Sequence, residues 1–158
     1  MSATVRPIER RDIPAVIELI RLHAAYEKLP FVEREQATGL ASAFFDAQPC
    51  LYGWVVDDGG GALLGYMTVV VDFATWAARP FAYMDCLFLR DHARGRGLGR
   101  RLIDELRNFM RQHDCETAEW HTPPHNELGI SFYRRIGARE LVKVRFFLEL
   151  DSPEVRNS

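Results

Sequence analysis

Eight consecutive residues in the second half of the sequence, 94–101, hold three glycines and four arginines. They follow an apolar, strand-like run over 81–89 and open into a helical pattern that runs from Leu98 to about His113. Glycines at a strand-to-helix turn leave main-chain N–H groups uncovered, and these donors lie at the positive end of a helix dipole. The turn is therefore predicted to hold an anion such as a pyrophosphate on its N–H groups. The donors are those of Gly95, Arg96, Gly97, Leu98, Gly99 and Arg100.

Two better-known phosphate motifs do not fit this turn. A P-loop would end in Gly-Lys-Ser/Thr, which is absent. A dinucleotide fingerprint reads Gly-x-Gly-x-x-Gly early in a βαβ unit, whereas here Gly95, Gly97 and Gly99 alternate past the middle of the chain. A glycine-rich turn that only caps its helix remains an alternative as long as the turn is considered alone.

Asp85 is a second residue that could do chemistry, because it interrupts the apolar run over 81–89. A carboxylate inside such a strand is costly unless it is solvated or paired, and burial would raise its pKa. It lies two residues before Leu87, so both side chains are expected on one face of the strand. Asp85 is therefore a candidate general base, with a carboxylate satisfied by nearby main chain or an arginine as the alternative.

The 158 residues fit one compact domain spanning 1–158, with a polar tail from about residue 151. Periodicity and turn signals predict the order β-α-α-β-β-β-α-β-α-β. The fold class is therefore α/β, with a central mixed sheet and helices on both faces. The strands are predicted at 5–8, 51–56, 62–73, 81–89, 116–122 and 141–150. The helices are predicted from an N-cap at Asp12, at 33–47, at 98–113 and from a cap at Asn126.

Two motifs in this order resemble the GCN5-related N-acetyltransferase (GNAT) superfamily. The first is Arg-x-x-Gly-x-Gly, at Arg94, Gly97 and Gly99. The second is Asn126 followed by the helical run 131–138, which contains Phe132 and Tyr133. The resemblance is strongest over 52–148 and implies the GNAT fold, acetyl-CoA as cofactor and transfer of an acetyl group to an amine.

The resemblance also implies roles for particular residues. The strand before the glycine turn splays from its neighbour, and its main chain at Leu87, Phe88 and Leu89 pairs with the pantetheine arm. The Leu87 N–H polarises the thioester carbonyl, and Tyr133 is the general acid for the leaving thiol. Asn126 and the Phe132-Tyr133 pair face the cofactor, although Asn126 could also cap its helix and Tyr133 could belong to the core.

The acceptor is expected to be a primary amine of a small molecule. Tyr26 and Glu27 after the first helix resemble the spermidine/spermine subgroup, and Trp76, Asp85 and Asn126 resemble the yeast histone/polyamine and D-amino-acid subgroup. Glu27 and Asp85 could pair with a cationic substrate, and Trp76 could stack on it. A solvated helix-end charge is the alternative for Glu27. Cys86 stands where polyamine enzymes continue their acidic run, so an amino acid or antibiotic-like amine stays open.

Other function classes are disfavoured or left open. A net charge of −2 gives no reason to expect nucleic acid, and no apolar run is long enough for a membrane span. Three widely spaced cysteines and the lack of an apolar leader favour the cytoplasm. The histidines, including His23, suggest neither metal ligands nor chemistry. A non-catalytic acyl-CoA sensor, an enzyme acting on a protein N-terminus or lysine, and a homodimer remain open alternatives.

Overall fold

A five-stranded sheet organises the chain, and the computed structural model describes residues 2–150. The strands lie in the order β1-β2-β3-β4-β5, with the first four antiparallel and β5 parallel to β4. The short turn between β2 and β3, which contains three glycines, and the short turn between β3 and β4 favour this antiparallel arrangement. The bounds are β1 Thr4–Pro7, β2 Tyr52–Asp57, β3 Leu63–Ala74, β4 Arg79–Leu89 and β5 Ala118–Glu119.

Four α-helices and two short 3-10 turns complete the secondary structure of the described residues. The helices are α1 Ile13–Tyr26, α2 Gln36–Phe45, α3 Leu98–Gln112 and α4 Glu127–Arg135. The 3-10 turns are Arg10–Asp12 and Asp91–Ala93. The chain forms two compact units, one up to Asn126 and one from Glu127, and α4 belongs to the second. None of the helices described between residues 2 and 150 has both the length and the hydrophobicity to cross a bilayer.

Within the first unit, helices cover both faces of the sheet, as predicted. Val55 belongs to the buried cluster that includes residues of α1 and α2. Its neighbour Trp54 instead meets Phe109 of α3, with the two rings 5.8 Å apart. Because successive strand residues point to opposite faces, α1 and α2 lie on one face and α3 on the other.

An ion-pair cluster fastens β1 and β2 to the start of α1. The Arg6 guanidinium donates to Asp12 at 2.7 Å and to Asp57 at 2.9 Å. Asp12 was predicted as the N-cap of the first helix, but its carboxylate makes no capping bond to α1. It accepts instead from Arg6 and from the Glu9 N–H at 2.8 Å, because the 3-10 turn before α1 directs it back towards β1.

The predicted last strand, 141–150, is wrong for the chain as described: these residues form no strand. Its sequence does alternate, since Val142, Val144, Phe146, Leu148 and Leu150 share one side. All five side chains are exposed. A strand needs a neighbour to accept its hydrogen bonds, and within the described residues this segment has none. The predicted polar tail from residue 151 lies outside the described residues.

Candidate functional site

The glycine turn has the geometry of an anion cradle. Gly97 is the N-cap residue of α3 and has a left-handed φ of 76°, and Gly95 has a φ of 72°. An added Cβ at either position would meet no atom within 4 Å, so the turn faces open space. No side chain caps the first N–H groups of α3, and its first turn carries no acidic residue. The turn therefore offers main-chain donors to an anion, and its buried Leu98 anchors the helix start.

The four arginines of the turn have different roles. Arg94 donates to the Leu89 carbonyl at 3.1 Å and pairs with Asp91 at 2.8 Å, so its side chain braces the loop. Arg101 donates to the Ala3 carbonyl at 2.7 Å. Arg96 and Arg100 are exposed beside the cradle. These two are therefore the arginines best placed to add charge for an anion.

Strand β4 has an open edge just before the turn. Strand β5 pairs with it only at Ala82 and Tyr83, so among the described residues no strand covers this edge further on. The Arg90 N–H donates to Leu64 of β3 at 2.8 Å, and by alternation the main chain of Phe88 also faces β3. The main chain of Leu87 and Leu89 therefore faces the open edge. The predicted splay is present, and it exposes these two residues rather than Phe88.

Asp85 lies at a bulge in β4. The register with β3 passes from Cys86 opposite Thr68 to Met84 opposite Val69, which leaves Asp85 without a partner residue. Bulges commonly redirect a side chain beside a functional site. Asp85 is exposed, so its carboxylate is solvated, which is one of the two conditions under which a charge is tolerated in this strand. The carboxylate is accessible next to the open edge, where a positively charged group can reach it.

A chain of polar side chains lies next to Asp85, between α1 and the sheet. His23 Nδ1 is 2.9 Å from the Tyr66 hydroxyl, and His23 Nε2 is 3.1 Å from a Glu27 oxygen. An ionised carboxylate only accepts, so Nε2 carries the hydrogen and Nδ1 accepts from Tyr66. Burial lowers the pKa of His23, although Glu27 opposes this shift. The imidazole is therefore a neutral base at pH 7.

Sequence reasoning missed His23 and underrated Glu27. The Glu27 side chain is only 20% exposed, so it is not a solvated helix-end charge. The signal was available, because His23 and Glu27 are four residues apart on one helix and must share a face. What the sequence did not show was Tyr66 of β3 at the other imidazole nitrogen.

Cys86 connects this chain of polar side chains to Asp85. Its sulfur lies 3.7 Å from an Asp85 oxygen, and its thiol also interacts with Tyr66. Burial, together with the negative charge of Asp85, raises the pKa of the Cys86 thiol to about 11. The thiol is therefore protonated at neutral pH and is a poor nucleophile. Burial also raises the pKa of Tyr66.

Tyr26 and Asn126 are brought together at the end of α1. The Tyr26 hydroxyl donates to Asn126 Oδ1 at 2.6 Å, and Asn126 Nδ2 donates to Thr122 at 2.7 Å. The Arg94 guanidinium lies 4.5 Å from the centre of the Tyr26 ring. These contacts fasten the end of α1 to the glycine turn and to the loop after β5, a structural role for both residues.

The remaining predicted residues are two on α4 and one in the turn between β3 and β4. Phe132 and Tyr133 are neighbours on α4 in the second unit, with ring centres 5.5 Å apart. Trp76 is fully exposed at the tip of the β3–β4 hairpin. Strand β4 runs about 20 Å from Arg79 to Asp85 at the usual rise per residue, so this chain does not bring Trp76 to Asp85.

Comparisons with known proteins place this chain among acetyltransferases. The model of the acetyltransferase (GNAT) family matches residues 16–138. A D-amino-acid N-acetyltransferase of Saccharomyces cerevisiae, HPA3, is 24% identical over 133 residues, which is 84% of this chain and 82% of that protein.

Solved structures share the fold. An aminoglycoside acetyltransferase from an uncultured soil metagenomic sample superposes with a TM-score of 0.79 at 21% identity, covering 94% of this chain and 97% of that one. The aminoglycoside N-acetyltransferase AAC(6')-Iy, solved with CoA, gives 0.78 at 14% identity, covering 94% and 95%.

The family match spans most of the chain and includes the glycine turn, the open edge of β4 and the helix that carries Tyr133. The cradle at Gly95 and Gly97 also suits the diphosphate of coenzyme A, because its N–H donors are free of side-chain caps. The chain belongs to the acetyltransferase (GNAT) family and is an N-acetyltransferase that uses acetyl-CoA.

Proposed function

We propose that this enzyme transfers the acetyl group directly to a primary amine of a small molecule, such as a polyamine or an amino acid. The observation that carries the proposal is the exposed Asp85 carboxylate beside the open edge of β4. The relatives support it, since the yeast enzyme is named for D-amino acids and two solved structures for aminoglycosides. We also propose that residues 1–158 form a single N-acetyltransferase domain and that the enzyme is cytoplasmic.

The proposed mechanism assigns a task to each group. When bound, acetyl-CoA supplies an acetyl thioester. The main-chain donors from Gly95 to Arg100 hold the diphosphate, and the Leu87 N–H stabilises negative charge on the carbonyl oxygen. A free amine has a pKa near ~10.4 and arrives protonated, so Asp85 takes its proton directly or through water. Tyr133 gives a proton to the leaving sulfur.

Direct transfer is favoured over an acyl-cysteine intermediate. Cys86 is the cysteine beside Asp85, and a thiol whose pKa is raised to about 11 holds little thiolate at pH 7. The reaction should therefore require both substrates at once. Initial-rate kinetics with intersecting rather than parallel double-reciprocal lines would agree, and parallel lines would contradict direct transfer.

The experiment that tests the function is a screen for thiol release from acetyl-CoA with polyamines, D- and L-amino acids, aminoglycosides and peptides. We expect turnover with at least one small amine. Turnover with peptide N-termini or lysines alone would support the protein-directed alternative. Tight acetyl-CoA binding in calorimetry without turnover on any amine would support the sensor alternative.

Gly97→Glu tests the cradle. The substitution puts a side chain in a left-handed conformation and a negative charge where the diphosphate is proposed to bind. We expect acetyl-CoA affinity to fall by at least ~100-fold, equivalent to about 2.7 kcal/mol. Gly39→Glu is the matched control, because Gly39 is also exposed with open space around its Cβ position. Equal calorimetric affinity for both variants would refute the cradle.

Tyr133→Phe tests the general acid. Removing the hydroxyl should lower kcat by about 10²-fold, the lower end for a positioned proton donor, and leave acetyl-CoA affinity nearly unchanged. Steady-state kinetics and calorimetry measure the two effects separately. Tyr52→Phe is the control, since the Tyr52 ring packs against Phe109 on the face of the sheet that α3 covers. An unchanged kcat, with chemistry shown to be rate-limiting by single-turnover kinetics, would remove Tyr133 from this role.

We also propose a homodimer built on the segment 141–150. Its apolar side, Val142 to Leu150 at even positions, is exposed, as are Lys143, Arg145 and Glu149 on the other side. Antiparallel pairing of two copies around Phe146 would put Lys143 of each opposite Glu149 of the other, a favourable cross-strand pair. Analytical ultracentrifugation should show a dimer that Val144→Asp with Phe146→Asp dissociates, and a wild-type monomer would refute this.

A further inference from the structure

The polar chain behind Asp85 is more than a set of satisfied side chains. It runs from the exposed Asp85 through Cys86 and Tyr66 to His23, and it ends at the mostly buried Glu27. Asp85 with Cys86, Tyr66 with His23, and His23 with Glu27 are in hydrogen-bonding contact, and the Cys86 thiol interacts with Tyr66. It therefore links the place where the proposed substrate amine loses a proton with a neutral imidazole inside the protein.

The imidazole of His23 is held rigidly. It stacks on the Phe88 ring with centres 5.2 Å apart and meets the Tyr66 ring edge-on at 5.9 Å. Three charged groups face it: Glu27 from its own helix, Asp85 from β4 and Arg94 from the turn before α3. Two of the three are acidic, so an imidazolium formed here would meet a net negative surrounding. The site is thus neutral at rest and prepared to accept one proton.

A purely structural role does not explain this composition. Burying an imidazole, a phenol and a carboxylate together costs desolvation energy that apolar side chains of similar size would avoid. The surrounding cluster of Ile17, Leu19 and Val55 shows that the fold fills this region with apolar groups elsewhere. Titratable groups whose pKa values are shifted by burial and by a specific charged partner cluster at functional sites.

Resting on the proposed function, we propose that His23 is the terminal acceptor of the proton that leaves the substrate amine. The N–H bond of the ammonium breaks and Asp85 gains the proton. In the resting structure the Cys86 thiol donates to Asp85. As the new Asp85 O–H passes a proton to the sulfur, the thiol turns and passes its own to the Tyr66 oxygen, and the phenol passes its own to His23 Nδ1. Cys86 and Tyr66 end neutral, Asp85 ends as a carboxylate, and His23 ends as an imidazolium paired with Glu27.

Position 86 offers a sharp test, because serine can relay a proton and alanine cannot. We expect Cys86→Ala to lower kcat/KM by about 10²-fold, the scale of one positioned proton transfer, and Cys86→Ser to retain most of it. A packing role predicts the opposite order, since the smaller apolar residue suits a half-buried site better. Equal activity of the two variants, or a more active alanine variant, would overturn the relay.

His23→Asn is the second test. The asparagine oxygen can still accept from Tyr66 but cannot take up a proton. We expect a loss of about 10²-fold in kcat/KM at pH 7.5 and loss of the acid limb that the wild type shows as His23 becomes protonated. His113→Asn is the matched control, because His113 also packs on an aromatic ring, Phe109, at 4.1 Å. Calorimetry should give wild-type acetyl-CoA affinity for both variants.

The outcomes separate the two proposals. A wild-type enzyme that is active on an amine, with an equally active His23→Asn variant, would overturn the relay alone. A wild-type enzyme inactive on every amine would overturn both. Nitrogen NMR gives a readout without turnover: we expect the Nε2–H tautomer of His23 at pH 7 and a titration midpoint below 6.5. A midpoint above 7 would also overturn the relay, because the imidazole would be protonated before the reaction.

Discussion

Two polar clusters of this enzyme differ in the protonation state that the fold favours. At the sheet edge, Arg6 meets Asp12 and Asp57, and these contacts raise the pKa of Arg6. The hydrogen bond from the Gly59 N–H, together with that from Arg6, lowers the pKa of Asp57. Burial alone would raise the pKa of Asp12, but the bonds from Arg6 and from the Glu9 N–H lower it overall. Beside β4, burial lowers the pKa of His23 and raises that of Cys86. The first cluster is locked in its charged state, whereas the imidazole and the thiol of the second are held neutral.

The difference comes from the charge available to each buried group. The Arg6 fork satisfies two carboxylates, donating at 2.7 and 3.0 Å to Asp12 and at 2.9 and 3.0 Å to Asp57. Desolvation is offset there by strong charge-assisted bonds. In the second cluster the His23 imidazole has one carboxylate partner, Glu27, whose effect on the pKa is smaller than that of burial, so desolvation decides its protonation. Fixed charges suit a structural fastening, whereas neutral groups suit a site that must accept a proton.

Arg6→Met should produce the largest effect on stability, because it leaves Asp12, only 6% exposed, as an unpaired buried charge. We expect a loss of about 3 kcal/mol in the free energy of unfolding, measured by urea denaturation at pH 7. Arg11→Met is the control and should cost less than about 0.5 kcal/mol, since Arg11 is 73% exposed. A loss below 1 kcal/mol for Arg6→Met would remove the distinction between the two clusters.

Thiol alkylation sharpens the comparison on the neutral side. Cys86, with a pKa raised to about 11, should react with iodoacetamide at pH 7.5 about 10²-fold more slowly than the exposed Cys50. Mass spectrometry of timed samples would show Cys50 labelled first. Rapid labelling of Cys86 in the folded protein would mean that its thiolate is populated, and would break the contrast with the charged cluster.

The smallest expected effect is a change in acid sensitivity. The pKa values of Asp12 and Asp57 are lowered on folding, so the stability they contribute is present above about pH 4 and is lost as pH falls through the lowered values. In Arg6→Met the unpaired Asp12 should have a raised pKa, so that ionised Asp12 destabilises the fold at pH 7 and its protonation at low pH relieves this cost. The cost of the substitution should therefore be smaller at pH 3 than at pH 7 in urea titrations, and an equal or larger cost at pH 3 would contradict this.

Local signals were enough for most of the elements. The glycine spacing at 95, 97 and 99 after an apolar strand predicted the start of α3 and its open turn, because both depend on a few neighbouring residues. The same reasoning failed for the strand predicted at 141–150, because an alternating sequence forms a strand only where a neighbouring strand pairs with it. Sequence reasoning also left open whether Asp85 is solvated or paired, since the bulge that exposes this side chain is a property of the register between β3 and β4.

The sequence by itself determined the family, the cofactor and the glycine turn that starts α3, since these rest on contiguous motifs. Only the tertiary structure decided which polar side chains lie together behind Asp85. His23, Tyr66 and Cys86 come from α1, β3 and β4 and meet through packing. Their protonation follows from burial, and burial is a property of the folded chain that no local pattern specifies.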